Sequence, residues 1–279
     1  MTTETTPLLQ VTDLAVEFGR GDTATRVVHD VSFEVHQGEF VGIIGETGSG
    51  KSVSLRAALG MLPSTGRMVS GRSLFQGKDL HKLGRRGLRA VKGNDIGFIP
   101  QQPWSALNPV QSVEKQFLAV GRSHGKSKAW IREAAREMLR RVEITAPERV
   151  LAGHSGNLSG GMAQRVVIAI SLMLQPDLVV GDEPTTALDV TVQKEILDLL
   201  SRICREDGKS ILVVTHDLGV VSTYCDRVYV MRDGRVLENG PTRSVFSGPQ
   251  HEYTQQLVTA STRYLDDEPS DASVKAVVA

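Results

Sequence analysis

An α/β fold is predicted for this chain by three features of its sequence. Short apolar runs alternate with amphipathic stretches, several of those runs are apolar without a break, and a long helical stretch interrupts the alternation near the middle. Unbroken apolar runs are what strands covered on both faces require. Candidate strands lie at residues 14–18, 31–35, 40–44, 96–99, 178–181 and 211–215. Residues 227–231 and 235–238 flank Asp233-Gly234, a dipeptide that favours a two-residue hairpin turn. From about 103 to 174 the pattern turns helical: Ile131, Ala134, Ala135, Met138, Leu139 and Val142 recur with the helical period. A second stripe, Val192, Ile196, Leu199, Leu200 and Ile203, returns the chain to the sheet. Both stripes read as core.

Composition narrows the function classes. The 279 residues carry 32 basic and 32 acidic side chains, so a general electrostatic footprint for nucleic acid is not expected. At 40% hydrophobic content a core forms without disulfides, and Cys204 and Cys225 lack metal-ligand spacing, which fits a reducing compartment. The longest apolar run, 166–174, is broken by Ser171 and falls short of the roughly 18 residues that a membrane span needs. The first residues, MTTETTP, lack the basic and apolar regions of a signal peptide. Residues 1–7 and 263–279 read as disordered ends, leaving one domain over 8–262 with its helical part at about 103–174.

Gly45-Glu46-Thr47-Gly48-Ser49-Gly50-Lys51-Ser52 matches GxxxxGK[ST] at every position, after the strand at 40–44 and before a helical run at 51–61. The glycines let the backbone curl so that successive N–H groups point inward, and the helix turns its positive end to the same place. That is a phosphate cradle. Lys51 is expected at the β- and γ-phosphates and the Ser52 hydroxyl on Mg²⁺. An ordinary glycine-rich turn is the plainer alternative, and a full match in this context weighs against it. The motif leaves the reaction open, since kinases, GTPases and motor ATPases share it.

Residues 178–183 form an apolar strand that ends in two carboxylates. Asp182 is expected to hold Mg²⁺ through its water shell, and Glu183 to orient and deprotonate an attacking water. Residues 156–165, Gly-Asn-Leu-Ser-Gly-Gly-Met-Ala-Gln-Arg, lie between the phosphate loop and this pair. By itself Ser159 could simply cap a helix, yet Ser159, Gly160 and Gly161 at a helix start also make an anion site without a cation.

Leu158-Ser159-Gly160-Gly161-Met162 resembles the signature of the ATP-binding cassette (ABC) ATPases, with methionine in a place where glutamine is usual. The resemblance covers about residues 9–257. It implies a P-loop NTPase cassette with a mixed-sheet core subdomain and an inserted helical subdomain. It also implies that the signature meets the γ-phosphate of ATP on an opposite subunit, so the chain works as one half of a dimer with a homologous or identical ATPase subunit. By the same resemblance Gln101 contacts Mg²⁺ and water, His216 meets the γ-phosphate, residues 186–189 with Asp189 cross the dimer seam, and Phe18 stacks on adenine where tyrosine is more usual. A core role for Phe18 is equally open. The segments Pro103-Trp104-Ser105-Ala106-Leu107-Asn108-Pro109, 182–193 and 248–254 resemble the dipeptide, oligopeptide and nickel importer branch. With no cysteine after Cys225, the iron–sulfur site of larger members of that branch is not expected.

What this resemblance implies is an ATP- and Mg²⁺-dependent subunit at the cytoplasmic face of the membrane. Its partners would be two transmembrane permease subunits and an extracytoplasmic solute-binding protein, with peptide as the expected cargo among peptides, nickel chelates and related solutes. The rival readings are a non-transport ABC ATPase of DNA repair or translation, an exporter ATPase, and an unrelated P-loop kinase.

Overall fold

The computed structural model describes residues 6–186 and 188–267. In chain order its elements are β1 (Leu9–Phe18), β2 (Thr25–Val35), β3 (Phe40–Ile44), α1 (Lys51–Ala58), β4 (Gly66–Phe75), β5 (Lys78–Asp79), α2 (Gly84–Val91), β6 (Ile96–Ile99), α3 (Val113–Ser123), α4 (Lys128–Arg141), α5 (Pro147–Ala152), α6 (Gly160–Leu172), β7 (Leu178–Asp182), α7 (Val190–Asp207), β8 (Ser210–Thr215), α8 (Leu218–Tyr224), β9 (Arg227–Arg232), β10 (Arg235–Pro241), α9 (Thr242–Ser247) and α10 (Glu252–Asp267). They fall into two compact units, one drawn from Met1–Gly84 and Ser210–Ala279, the other from Arg85–Lys209.

In the first unit β3 lies parallel to both β8 and β9, and β10 returns antiparallel to β9, which is the expected mixed sheet. All five residues of β3 and all six of β8 are buried, as central parallel strands require. Asp233 (φ +49°) and Gly234 (φ +72°) supply the left-handed pair that a two-residue hairpin needs between β9 and β10. A second, antiparallel sheet in the order β2-β1-β4-β5 is longer than the sequence pattern announces. β1 starts at Leu9 because Asp13 (φ +50°) takes up an irregularity in both of its ladders, so the alternation slips part-way along the strand. Asp30 (φ +53°) interrupts β2 in the same way.

In the second unit β6 and β7 run parallel. The stretch expected as one helical part resolves into α3, α4, α5 and α6, with a 3-10 turn before α3 and another between α5 and α6, and the compact unit that contains it also holds β6, β7 and α7. Hydroxyls of Ser112, Ser127 and Ser159 start α3, α4 and α6 by accepting from the N–H groups of Lys115, Trp130 and Met162. Ile131, Ala135, Met138, Leu139 and Val142 are buried as the periodicity predicts, and Ala134 is half-buried. α3 and α4 approach closely at Gly121, where a Cβ would lie 2.4 Å from Cγ1 of Ile131. Arg165 on α6 donates to the Val142 carbonyl (2.7 Å) and to the carboxylates of Glu143 and Glu195, tying the exit of α4 to α7. Hydrogen bonding from Arg202, with Arg165 nearby, holds the Glu143 carboxyl below the usual carboxylate range against the opposing effect of burial.

Helix α10 runs to Asp267, into the segment read as a tail, while residues 1–5 and 268–279 of the expected ends lie outside the described residues. Among the described residues no helix is long and apolar enough to cross a membrane.

Candidate functional site

In the first unit the phosphate loop joins β3 to α1. Gly45 leaves β3 at φ +152°, and a Cβ there would lie 2.0 Å from the Met231 carbonyl of β9, so the chain can pass only as glycine. Gly48 (φ +88°) and Gly50 (φ +96°) carry the left-handed turns that curl the loop, while Glu46, Thr47 and Gly48 are exposed and Ser49 is buried. The outer wall is fixed by two bonds from distant sequence: the Gly234 N–H donates to the Ser49 carbonyl (3.0 Å), and the Glu46 N–H donates to the Tyr253 hydroxyl (3.1 Å). The inner side is held by Lys51. Its ammonium group, buried with the side chain, donates to the carbonyls of Gly45 (2.6 Å) and Glu46 (2.8 Å), with Ser49 Oγ at 3.5 Å. Ser52 follows in the first turn of α1, half-buried. The N–H groups of such a first turn lack intrahelical acceptors and face outward from the helix end.

Thr215 of β8 stands opposite Ile44 of β3, so Gly45 and His216 leave the same end of neighbouring parallel strands. His216 is exposed there, just ahead of Asp217, whose carboxylate caps α8 through the Val220 N–H (3.2 Å). Phe18 ends β1 opposite Gly66, whose missing Cβ would lie 2.8 Å from the ring. The ring is half-buried, resting on glycine backbone with the remainder accessible. Packing and stacking are therefore compatible at this position.

In the second unit Ile99 pairs with Gly181, so Gln101 and the Asp182-Glu183 pair also leave one end of two parallel strands. Gln101 Nε2 donates to Glu183 Oε2 (2.9 Å), and Thr186 Oγ1 donates to the same oxygen (3.0 Å). Two donors aimed at one oxygen fix the carboxylate's orientation. Glu183 itself sits at φ +50°, a left-handed conformation that a non-glycine residue adopts at a cost of about 1–3 kcal/mol. Asp182 is 1% exposed at the last position of β7. The turn after it is gripped by Gln164 of α6, also buried, whose Nε2 donates to the Pro184 carbonyl (2.7 Å).

Ser159 does cap α6, and the same geometry leaves Gly160 and Gly161 presenting first-turn N–H groups at an exposed helix start. Gly160 has open space where a Cβ would be, while a Cβ on Gly161 would press to 3.0 Å from Val192 of α7. Asp189 caps α7 by accepting from the Val192 N–H (3.1 Å). Ala187, between Thr186 and Asp189, lies outside the described residues.

The residues fit the groups that the sequence implies. In the first unit a curled glycine loop around a lysine ammonium suits a polyphosphate and the Ser52 hydroxyl is a hard oxygen donor of the kind Mg²⁺ takes; in the second unit the Gln101 amide oxygen and the Asp182 carboxylate are donors of the same kind. Sequence reasoning missed Tyr253, Gly234 and Gln164. In the sequence Gly234 reads only as a turn residue, and Tyr253 and Gln164 only as parts of longer strings. For Gln164 the available signal was a polar side chain on the otherwise apolar face of a helix.

The family model described as "ABC transporter" matches residues 28–186. The peptidoglycan transport ATP-binding protein YejF of Agrobacterium fabrum is 45% identical over 99% of this chain and 51% of its own length, so the chain spans about half of that relative. The dipeptide transport ATP-binding protein DppD of Escherichia coli is 38% identical over 97% of this chain and 83% of its own length. Among solved structures, an ATP-binding cassette in a dimeric post-hydrolysis state bound to ADP and Pi superposes with a TM-score of 0.74 at 28% identity, covering 84% of this chain and 98% of that one.

Proposed function

The chain belongs to the ABC transporter family, and from that premise we propose that it is the ATP-hydrolysing subunit of an importer whose cargo is peptide. The observation that carries this reading is a second helix start suited to an anion. Ser159 caps α6, and Gly160 and Gly161 open it at an exposed surface, in a chain that also carries the glycine loop at residues 45–52. A monomeric phosphoryl-transfer enzyme has no use for that second site. A subunit that closes head to tail on a partner uses one site for its own nucleotide and the other for its partner's.

In this mechanism Lys51 and the loop N–H groups would hold the phosphates of ATP, and Ser52, Gln101 and Asp182 would hold Mg²⁺, which when bound would offset the charge of the γ-phosphate. Glu183, oriented by Gln101 and Thr186, accepts the proton of the attacking water, and His216 stabilises the phosphoryl oxygens. Phe18 offers a π-face to the adenine, for which a hydroxyl is not needed. Asp189 orders the start of α7 beside the dimer seam. Closure of two such subunits over ATP, and opening after hydrolysis, would drive two transmembrane permease subunits loaded by an extracytoplasmic solute-binding protein. The chain would sit peripherally at the cytoplasmic face. The name of the dipeptide-transport relative supports the cargo class, and the dimeric neighbour supports the pairing.

The test is reconstitution of the chain with its permease subunits and binding protein in proteoliposomes. ATP-dependent peptide uptake, and ATPase activity stimulated by the peptide-loaded binding protein, are the expected results. Salt-sensitive nucleic-acid binding or co-purification with ribosomes, with no stimulation by peptide, would favour a non-transport ABC ATPase instead.

A further inference from the structure

The segment at residues 248–254 marks a branch of the family in the sequence and has no part in the mechanism above. In the structure it reaches the phosphate loop. Glu238 of β10 accepts from the N–H groups of Gln250 (2.9 Å) and His251 (3.1 Å), and His251 Nδ1 accepts from the Tyr253 N–H (3.1 Å), so the start of α10 is fixed before Tyr253 is placed. The Tyr253 ring is 3% exposed and lies under the Arg232 guanidinium, 4.7 Å from the ring centroid. Its hydroxyl then accepts from the Glu46 N–H at 3.1 Å.

Glu46 is thereby held from both sides of its backbone, with its N–H on Tyr253 and its carbonyl on the Lys51 ammonium. The second of those bonds involves the group that must turn to the phosphates, whereas the first does not. We propose that Tyr253 is a positioning residue for nucleotide binding: its hydroxyl pins the entrance of the phosphate loop, so that the cradle keeps its curvature when Lys51 transfers its hydrogen bonds to ATP. The proposal rests on the reading of residues 45–52 as an ATP site. It gives α10 a direct hold on that site from the far end of the fold unit.

Tyr253→Phe tests it, because the ring, its volume and its contact with Arg232 are retained and only the hydroxyl is lost. Equilibrium binding of Mg–ATP to the full-length variant is expected to weaken about fivefold, the worth of one ordinary hydrogen bond, with the melting temperature nearly unchanged. In the assembled complex KM for ATP should rise by a similar factor while kcat at saturating ATP stays within about twofold. Amide exchange of a peptide covering residues 44–50 should quicken in the ATP-free variant and slow again at saturating ATP. A Tyr253→Phe variant that binds ATP as tightly as wild type, with loop exchange unchanged, would overturn the proposal. Wild-type chain that binds no ATP in the same titration would instead overturn the reading of the site itself. A fall in melting temperature with unchanged affinity would assign Tyr253 to packing alone and reject the positioning role.

Discussion

Glu183→Gln keeps ATP binding and loses turnover by about 10²- to 10⁴-fold, the usual contribution of a positioned general base. The substitution is nearly isosteric. The amide oxygen can still accept from Gln101 and Thr186, so the loop after β7 should keep its shape, left-handed φ included. What disappears is the capacity to take a proton from water. ATP affinity should stay within about twofold, because none of the phosphate-loop groups is altered. With hydrolysis blocked and the proposed anion site at residues 159–161 unaltered, ATP should hold two copies, or the chain and a homologous partner, in a closed pair. Steady-state ATPase assays on the assembled complex, together with size-exclusion chromatography in ATP, read both effects. Turnover within a few-fold of wild type would remove Glu183 from the base role.

Lys51→Ala has the larger effect on binding. A lysine that hydrogen-bonds phosphate oxygens contributes charge-assisted bonds worth about 1.5–3 kcal/mol each, so the loss should weaken ATP on the order of 10²-fold. A second cost is specific to this loop. In this structure the ammonium group bridges the carbonyls of Gly45 and Glu46, and alanine leaves both without that donor and the loop less well shaped. Lys51→Arg would restore the charge but not the fit, because a planar guanidinium is too large for the space occupied by a compact ammonium among those carbonyls. Equilibrium ATP binding measures the loss, and affinity within about threefold of wild type would contradict the assignment.

Much of this was written locally in the sequence. β3, the loop and α1 could be read in order because each carries its own signal: an apolar run, a glycine spacing and a lysine at the helix start. β6 was legible to the residue for the same reason. β4 was not, since only Ser73 and Phe75 of its ten residues are buried, one glycine opens it and Gly71 interrupts it, so no alternation is visible. β1 and β2 were legible only beyond Asp13 and Asp30, because an irregularity in a ladder shifts the phase of the side chains. The candidate site divides the same way. The identities of Gln101 and Glu183 were legible, but the bond between them joins residues 82 apart and depends on β6 lying parallel to β7 in one register. Tyr253 lies 207 residues from the amide it receives. No short-range pattern encodes such a pairing.

The hairpin at Asp233-Gly234 has a practical bearing on how the chain can be altered. Exposed two-residue turns are ordinarily the places where a protein accepts extra residues, tags or a break in the backbone. Here the Gly234 N–H holds Ser49, its carbonyl accepts from the His29 N–H (2.8 Å), and its Cα lies 3.2 Å from where a Cβ on Gly50 would be. A turn that lies far from this loop in the sequence is thus one wall of the proposed nucleotide cradle. Insertions there would act as active-site lesions, and a permissive site for labelling has to be sought elsewhere on the surface.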